Sequence, residues 1–187
     1  MSPTIASSQE ISVPLCVDLD GTLIKSDVLW ESMTLLLKRN PLYLFALPFW
    51  LLGGRAALKK EIAARTELNA ASLPYHQPFL EYLKAERRQG RKLILATAAD
   101  RRLAQNVAAH LGIFDDVMAS DGQTNLRGKN KAKALVARFG NKGFDYAGNS
   151  TVDLPVWQQA HHAIVVNANE SLARQASRRT TVSEVFN

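Results

Sequence analysis

The chain has 187 residues, 47% of them hydrophobic, which is enough to bury one sizeable core and a modest insertion, and it carries no internal repeat or low-complexity tract. Its single cysteine, Cys16, excludes a disulfide within the chain, favours a reducing compartment, and is expected to be a small buried hydrophobe. The formal charge of +6 and pI near 9.6 ask for an anionic counterpart: a phosphorylated substrate or an anionic membrane surface ranks above nucleic acid, for which no aromatic-interleaved basic motif is present.

Residues 1–12 are small and polar, without the charged and apolar regions of a secretory signal, so a loose arm and a cytoplasmic location are expected. The first predicted strand, 15–17, runs into Val17-Asp18-Leu19-Asp20-Gly21-Thr22-Leu23. Residues i and i+2 of a strand face the same way, so Asp18 and Asp20 lie together at its C-terminal end, where open α/β sheets bind ligands. One carboxylate can attack phosphorus while the other exchanges a proton with the leaving or entering oxygen. Gly21 lets the backbone turn tightly after them.

From 26 to 90 the periodicity is helical, without strand alternation. Within this stretch, residues 41–52 are apolar nearly all round, with Pro48 expected to interrupt or kink them, and too short to span a bilayer as a helix. A buried helix is the default reading; a membrane-touching surface, a groove for a lipidic substrate and a docking face for another domain are the alternatives. Lys38 and Arg39 before it and Arg55, Lys59 and Lys60 after it match the basic flanks of interfacial helices.

A second strand, 93–96, ends on Thr97, whose hydroxyl and neighbouring amides suit phosphate oxygens. Asp100 is placed to cap the following helix, 101–111, which leaves Thr97 for a ligand. After a strand at 116–119, Gly128-Lys129-Asn130-Lys131-Ala132-Lys133-Ala134-Leu135 opens an amphipathic helix, 131–139. A strand at 145–147 then leads through Gly148 into Asn149-Ser150-Thr151-Val152-Asp153, a polar loop whose amide and carboxylate suit a hard metal ion. A helix at 155–160 and a strand at 163–166 follow. Such alternation predicts an α/β fold: a Rossmann-like doubly wound parallel sheet with helices on both faces.

The four segments together resemble the four motifs of the haloacid dehalogenase-like superfamily of phosphohydrolases and phosphotransferases. The resemblance implies Asp18 as nucleophile, Asp20 as general acid/base, Thr97 as phosphate ligand and Lys131, ahead of Lys129, as the cation that steadies nucleophile and phosphate. It implies a core of residues 13–25 and 91–187 with a C1-type helical cap at 26–90. It also implies Mg²⁺, held by Asp18, Asp20, Asn149 and Asp153, with Asp153 additionally able to orient Lys131. The family usually shows G-D-x-x-x-D in its fourth motif, whereas this chain has Gly148-Asn149-Ser150-Thr151-Val152-Asp153. An amide in the carboxylate's place brings no negative charge, so weaker metal binding is expected.

A narrower resemblance, carried by residues 18–29 with the apolar stretch after them and by 144–157, is to the soluble domain found ahead of a polyprenyltransferase in bacterial fusion proteins. It implies a membrane domain beyond Asn187 and a Mg²⁺-dependent phosphomonoesterase at the cytoplasmic face of the membrane, acting on a phosphorylated small molecule or a prenyl-linked sugar phosphate. The alternatives are a non-catalytic module that binds phosphate or docks a membrane prenyltransferase, and a phosphotransferase.

Overall fold

Leu15, Cys16 and Val17 have no polar face between them, and such a strand belongs inside a sheet covered on both sides. The computed structural model, which describes residues 13–26, 28–65, 69–121 and 123–187, puts it there. β1 (Leu15–Val17) lies between β2 (Leu93–Asp100) and β4 (Asp145–Gly148). β3 (Asp116–Ser120) extends the sheet beyond β2, while β5 (His162–Val166) and β6 (Thr181–Phe186) extend it beyond β4. The order is β3-β2-β1-β4-β5-β6, with every neighbouring pair parallel. The chain therefore winds outward from β1 in one direction and returns to wind outward in the other, leaving a crevice at the C-terminal ends of β1 and β4. The expected arm, 1–12, lies outside the described residues.

Strand alternation divides the core in two. Leu15, Val17, Leu93, Leu95, Ala147 and Ile164 belong to one apolar cluster, which is covered by Phe79, Leu80 and Leu83 of α4 (Gln77–Arg88) and Leu103, Ala104 and Val107 of α5 (Arg101–Leu111). Cys16, Ile94, Ala96, Tyr146, Ala163 and Val165 belong to the other, with residues of α6 (Lys129–Phe139), α7 (Leu154–Trp157) and α8 (Glu170–Ser177). Burial raises the Cys16 thiol to about 12, so it stays protonated and inert at neutral pH. Asp100 accepts from Arg102 N–H and starts α5 as expected, and Gly112, at φ +64°, ends it.

The stretch 26–90 divides. α1 (Val28–Arg39), α2 (Tyr43–Leu52) and α3 (Gly54–Ala63) contact one another, and α3 also touches β2. Leu36 and Ile62 are buried in this layer. α4 lies within the same stretch, yet its apolar face is part of the sheet's core, because Phe79, Leu80 and Leu83 at i, i+1 and i+4 turn toward Leu15 and Leu93. The inserted layer thus ends before α4 rather than at 90. Contrary to the default reading, α2 contributes no buried residue. It also runs through Pro48, so of the two expected effects of the proline an interruption does not occur.

At the N-terminal edge of the sheet, Asp145 pairs with Arg91, which also bonds Glu86 at 2.5 Å and the Val13 carbonyl at 3.1 Å. The other Asp145 oxygen accepts from His162 N–H at 2.8 Å. Asp145→Asn keeps one acceptor but removes the charge facing a largely buried guanidinium. It is expected to cost about 2 kcal/mol, or roughly 4–8 °C in melting temperature for a chain of this size. Thermal denaturation reads this, and an unchanged melting temperature would show that Glu86 alone suffices for Arg91.

Candidate active site

Asp18 directly follows β1 and continues its pairing with β4, its N–H donating to the Ala147 carbonyl at 3.0 Å. Its side chain takes the same face as Cys16 and so points toward the α6 layer. The turn after it closes tightly: Leu23 N–H donates back to the Asp18 carbonyl at 3.3 Å, and Ile24 N–H to the Leu19 carbonyl at 3.0 Å. Asp20, half-buried, sits in this turn. Gly21, at φ +74°, occupies a conformation that suits glycine, and a Cβ on it would lie 2.1 Å from Asn149 Nδ2. The missing side chain is what lets the loop after β4 close over the turn after β1, which brings the first and fourth segments together.

Lys131 enters from the first turn of α6. It shares a helix face with Leu135, which is buried against the sheet, so the same periodicity that anchors the helix carries Lys131 inward. Its ammonium donates to Asp18 Oδ1 at 2.7 Å and to the Tyr146 hydroxyl at 2.8 Å. The Tyr146 hydroxyl in turn donates to Asp153 Oδ1 at 2.9 Å. Lys129 and Lys133 are exposed, and Lys131 alone of the three makes these contacts.

The family resemblance places Asp153 at or just behind the metal. Its Oδ2 accepts from Asn149 N–H at 3.1 Å, from Ser150 N–H at 3.0 Å and from the Ser150 hydroxyl at 3.2 Å, while Oδ1 takes the tyrosine. Protein donors thus occupy both oxygens, and Asp153 reaches Lys131 through Tyr146. Asn149 lies half-buried at the mouth, against Gly21. Thr97 is fully buried in β2, and its hydroxyl accepts from Ala99 N–H at 2.9 Å, which leaves its own proton to donate.

Electrostatically the site is short of positive charge. Burial pushes the Asp18 carboxyl up to about 6 although Lys131 pulls it down, and the nearby Asp153 adds to the rise. Burial, with Asp153 and Asp18 beside it, also holds the Tyr146 phenol well above its ordinary value, so it remains a neutral donor. The Asp18 carboxylate, the backbone carbonyl of Asp20 and the amide oxygen of Asn149 are hard oxygen donors, and the buried Thr22 hydroxyl in the same turn has no hydrogen-bond partner among the described residues. These residues fit a hydrated divalent cation. A different cluster, Asp145, His161 and His162, has ligand atoms within 4.8 Å of one another. It lies at the opposite edge of the sheet, and Arg91 already takes its carboxylate.

Tyr146 is the member of the site that sequence reasoning passes over. A signal was present: a tyrosine in an otherwise apolar strand, on the face shared with Cys16, needs a partner for its hydroxyl once buried.

The family model for haloacid dehalogenase-like hydrolase matches residues 15–158. Over 168 residues the chain is 39% identical to y4nM, an uncharacterized protein of Sinorhizobium fredii, covering 88% of this chain and 32% of that protein. It therefore spans about a third of the length of that relative. Among solved structures, it is similar to a protein with unknown function from Bordetella pertussis Tohama I, with TM-score 0.69 and 14% identity over 94% of this chain and 98% of that one. It is also similar to a phospho-aspartyl intermediate analogue of phosphoserine phosphatase, with TM-score 0.60 and 13% identity over 94% and 93% of the two chains. Identities this low show a shared fold.

Proposed function

This chain belongs to the haloacid dehalogenase-like hydrolases, and from that premise we propose that it is a phosphatase that cleaves phosphomonoesters through an aspartyl-phosphate on Asp18. The observation that carries this reading is the buried contact of Lys131 with Asp18, 2.7 Å long, at the end of the central strand where the sheet's winding reverses. A carboxylate fixed there by one cation has a defined direction of attack.

In the first step an Asp18 oxygen bonds to phosphorus, the bond from phosphorus to the ester oxygen breaks, and Asp20 gives that oxygen its proton. In the second, Asp20 takes a proton from water as the water oxygen bonds to phosphorus, releasing phosphate and restoring the Asp18 carboxylate. Lys131 and the Thr97 hydroxyl hold phosphoryl oxygens through both steps, and Tyr146 and Asp153 hold Lys131. Asp18, the backbone carbonyl of Asp20 and Asn149 would hold Mg²⁺, which leaves the Asp20 carboxyl for proton transfer, with Asp153 fixing the loop behind them. The ion supplies charge neutralisation that brings two anions, carboxylate and phosphate, within bonding reach. α1 to α3 serve as the cap, and the substrate class we propose is a phosphate carried on a small molecule or on a prenyl-linked sugar at the cytoplasmic face of a membrane.

Phosphate release from a panel of phosphomonoesters, with Mg²⁺ and with chelator, tests this reading. Release that requires Mg²⁺ is expected. The amide at 149 favours one rival, a phosphate-binding module without turnover, and phosphate binding with no release from any ester would decide for it. Release that depends on an added alcohol acceptor would decide for a phosphotransferase.

Asn149→Asp separates the metal from the chemistry. It adds a charged oxygen of nearly the same shape, worth about 1 kcal/mol or more toward a dication at an effective dielectric of roughly 20 to 80. The apparent Mg²⁺ dissociation constant is expected to fall about fivefold or more. An unchanged constant would place position 149 away from the metal.

A further inference from the structure

α2 is apolar on every side, yet none of its residues is buried. Phe45 and Phe49 are each 72% exposed and Leu52 is 85% exposed, with Leu42, Leu44 and Leu51 also open to solvent. A contiguous surface of this kind marks an interaction site. The charges around it identify the occupant. From 38 to 60 the sequence contains Lys38, Arg39, Arg55, Lys59 and Lys60 and no aspartate or glutamate. Lys38 and Arg39 form the last turn of α1, and Lys60 lies in the last turn of α3, so the elements on either side of the apolar helix in the chain are basic.

A second copy of the chain is a poor match for this face, because two-fold pairing would press one such basic patch against another. An anionic lipid surface matches both parts of it. Tyr43 and Trp50 lie with ring centroids 5.8 Å apart, with the Arg65 guanidinium 4.8 Å from the Trp50 ring, an aromatic and cationic pairing suited to the headgroup level. No helix of the described residues is long and apolar enough to cross a membrane. At 1.5 Å per residue a helix of ten residues spans about 15 Å, half of a bilayer's hydrocarbon core, so it would lie in the interface plane.

We infer that α2 is an interfacial helix that docks this domain onto an anionic lipid surface, burying Phe45, Phe49 and Leu52 among the acyl chains while the flanking basic residues meet lipid headgroups. α2 packs on α3, and α3 touches β2, the strand that carries Thr97. Docking would therefore hold the site about one helix diameter, roughly 10 Å, from the surface. A phosphate carried on a membrane-anchored molecule is then within reach, and for that part the inference rests on the phosphatase reading.

Co-sedimentation with vesicles tests it without any substrate. The chain is expected to bind vesicles of mixed phosphatidylglycerol and phosphatidylcholine, to bind pure phosphatidylcholine far less, and to lose affinity as salt rises. Phe45→Ser with Phe49→Ser alters only exposed positions outside the catalytic machinery. It is expected to weaken binding about tenfold or more while leaving turnover of a water-soluble phosphomonoester unchanged. Absence of binding to anionic vesicles, or equal binding by the double variant, would overturn the inference. So would a concentration-dependent dimer abolished by the same substitutions, which would make a second copy the occupant. If no ester is hydrolysed but vesicles are bound, the phosphatase reading fails and the docking surface stands.

Discussion

Asp18→Asn is expected to lower phosphate release by at least about four orders of magnitude, the scale on which removing a nucleophile acts. Asparagine keeps the size and polarity of the side chain and still accepts a hydrogen bond from Lys131, but its amide does not form an acyl phosphate. The fold is expected to survive, and the stability of the metal-free variant should depend less on pH between about 4 and 8 than that of the wild type. The sign follows from the raised carboxyl. Asp18 titrates near 6 in the folded chain against 3.8 in the free side chain, so the native state binds the proton more tightly than the unfolded state does. Stability therefore falls as pH rises through that window, by at most about 3 kcal/mol. Asparagine carries no charge and escapes that loss. Steady-state release and thermal denaturation in chelator measure the two effects, and a folded Asp18→Asn protein with substantial activity would exclude the covalent route.

Lys131→Met is expected to lower turnover by about three orders of magnitude, comparable to the loss of one aimed donor in a water-excluded site. The substitution preserves the stem that packs beside Leu135 but removes the one cation touching Asp18 among the described residues. Asp18, with the Asp153 charge nearby, would then lie buried without a compensating cation, so Asp18 would ionise at higher pH still. The acid limb of the pH profile should move upward along with the fall in rate. A structural role alone would lower stability and leave that limb in place, and a variant with an unmoved acid limb would show that Lys131 does not govern the nucleophile's charge.

The central sheet is legible in the sequence because five of its strands are apolar runs ended by glycine or a polar loop, and buried strands have few alternatives. β6 is not, since Thr181-Val182-Ser183-Glu184-Val185-Phe186 forms an edge strand whose residues are mostly exposed and lack clean alternation. The sequence places α4 with the insertion because helical periodicity says which face is buried but not against what. Its partners, Leu15 and Leu93, are known only once the sheet is built. α2 reads as core for a related reason: an apolar circumference signals removal from water and does not say whether protein or lipid provides it. In the site, the spacing of Asp18 and Asp20 could be read from the strand period, whereas the choice of Lys131 over Lys129 follows from the resemblance of Lys131-Ala132 and Leu135 to the family's third motif. The link from Lys131 through Tyr146 to Asp153 could not be read, because it joins a helix, a strand and a loop whose approach depends on a glycine 110 to 132 positions earlier, at Gly21, lacking a side chain.

Trapping the intermediate tests the covalent mechanism most directly. Turnover of a hydrolysable phosphomonoester in the presence of Mg²⁺, quenched with borohydride, reduces an aspartyl-phosphate to homoserine, which peptide mass spectrometry locates. The account requires that product at position 18, dependent on substrate and absent from Asp18→Asn. Steady turnover that leaves Asp18 unmodified while another residue is trapped would contradict it.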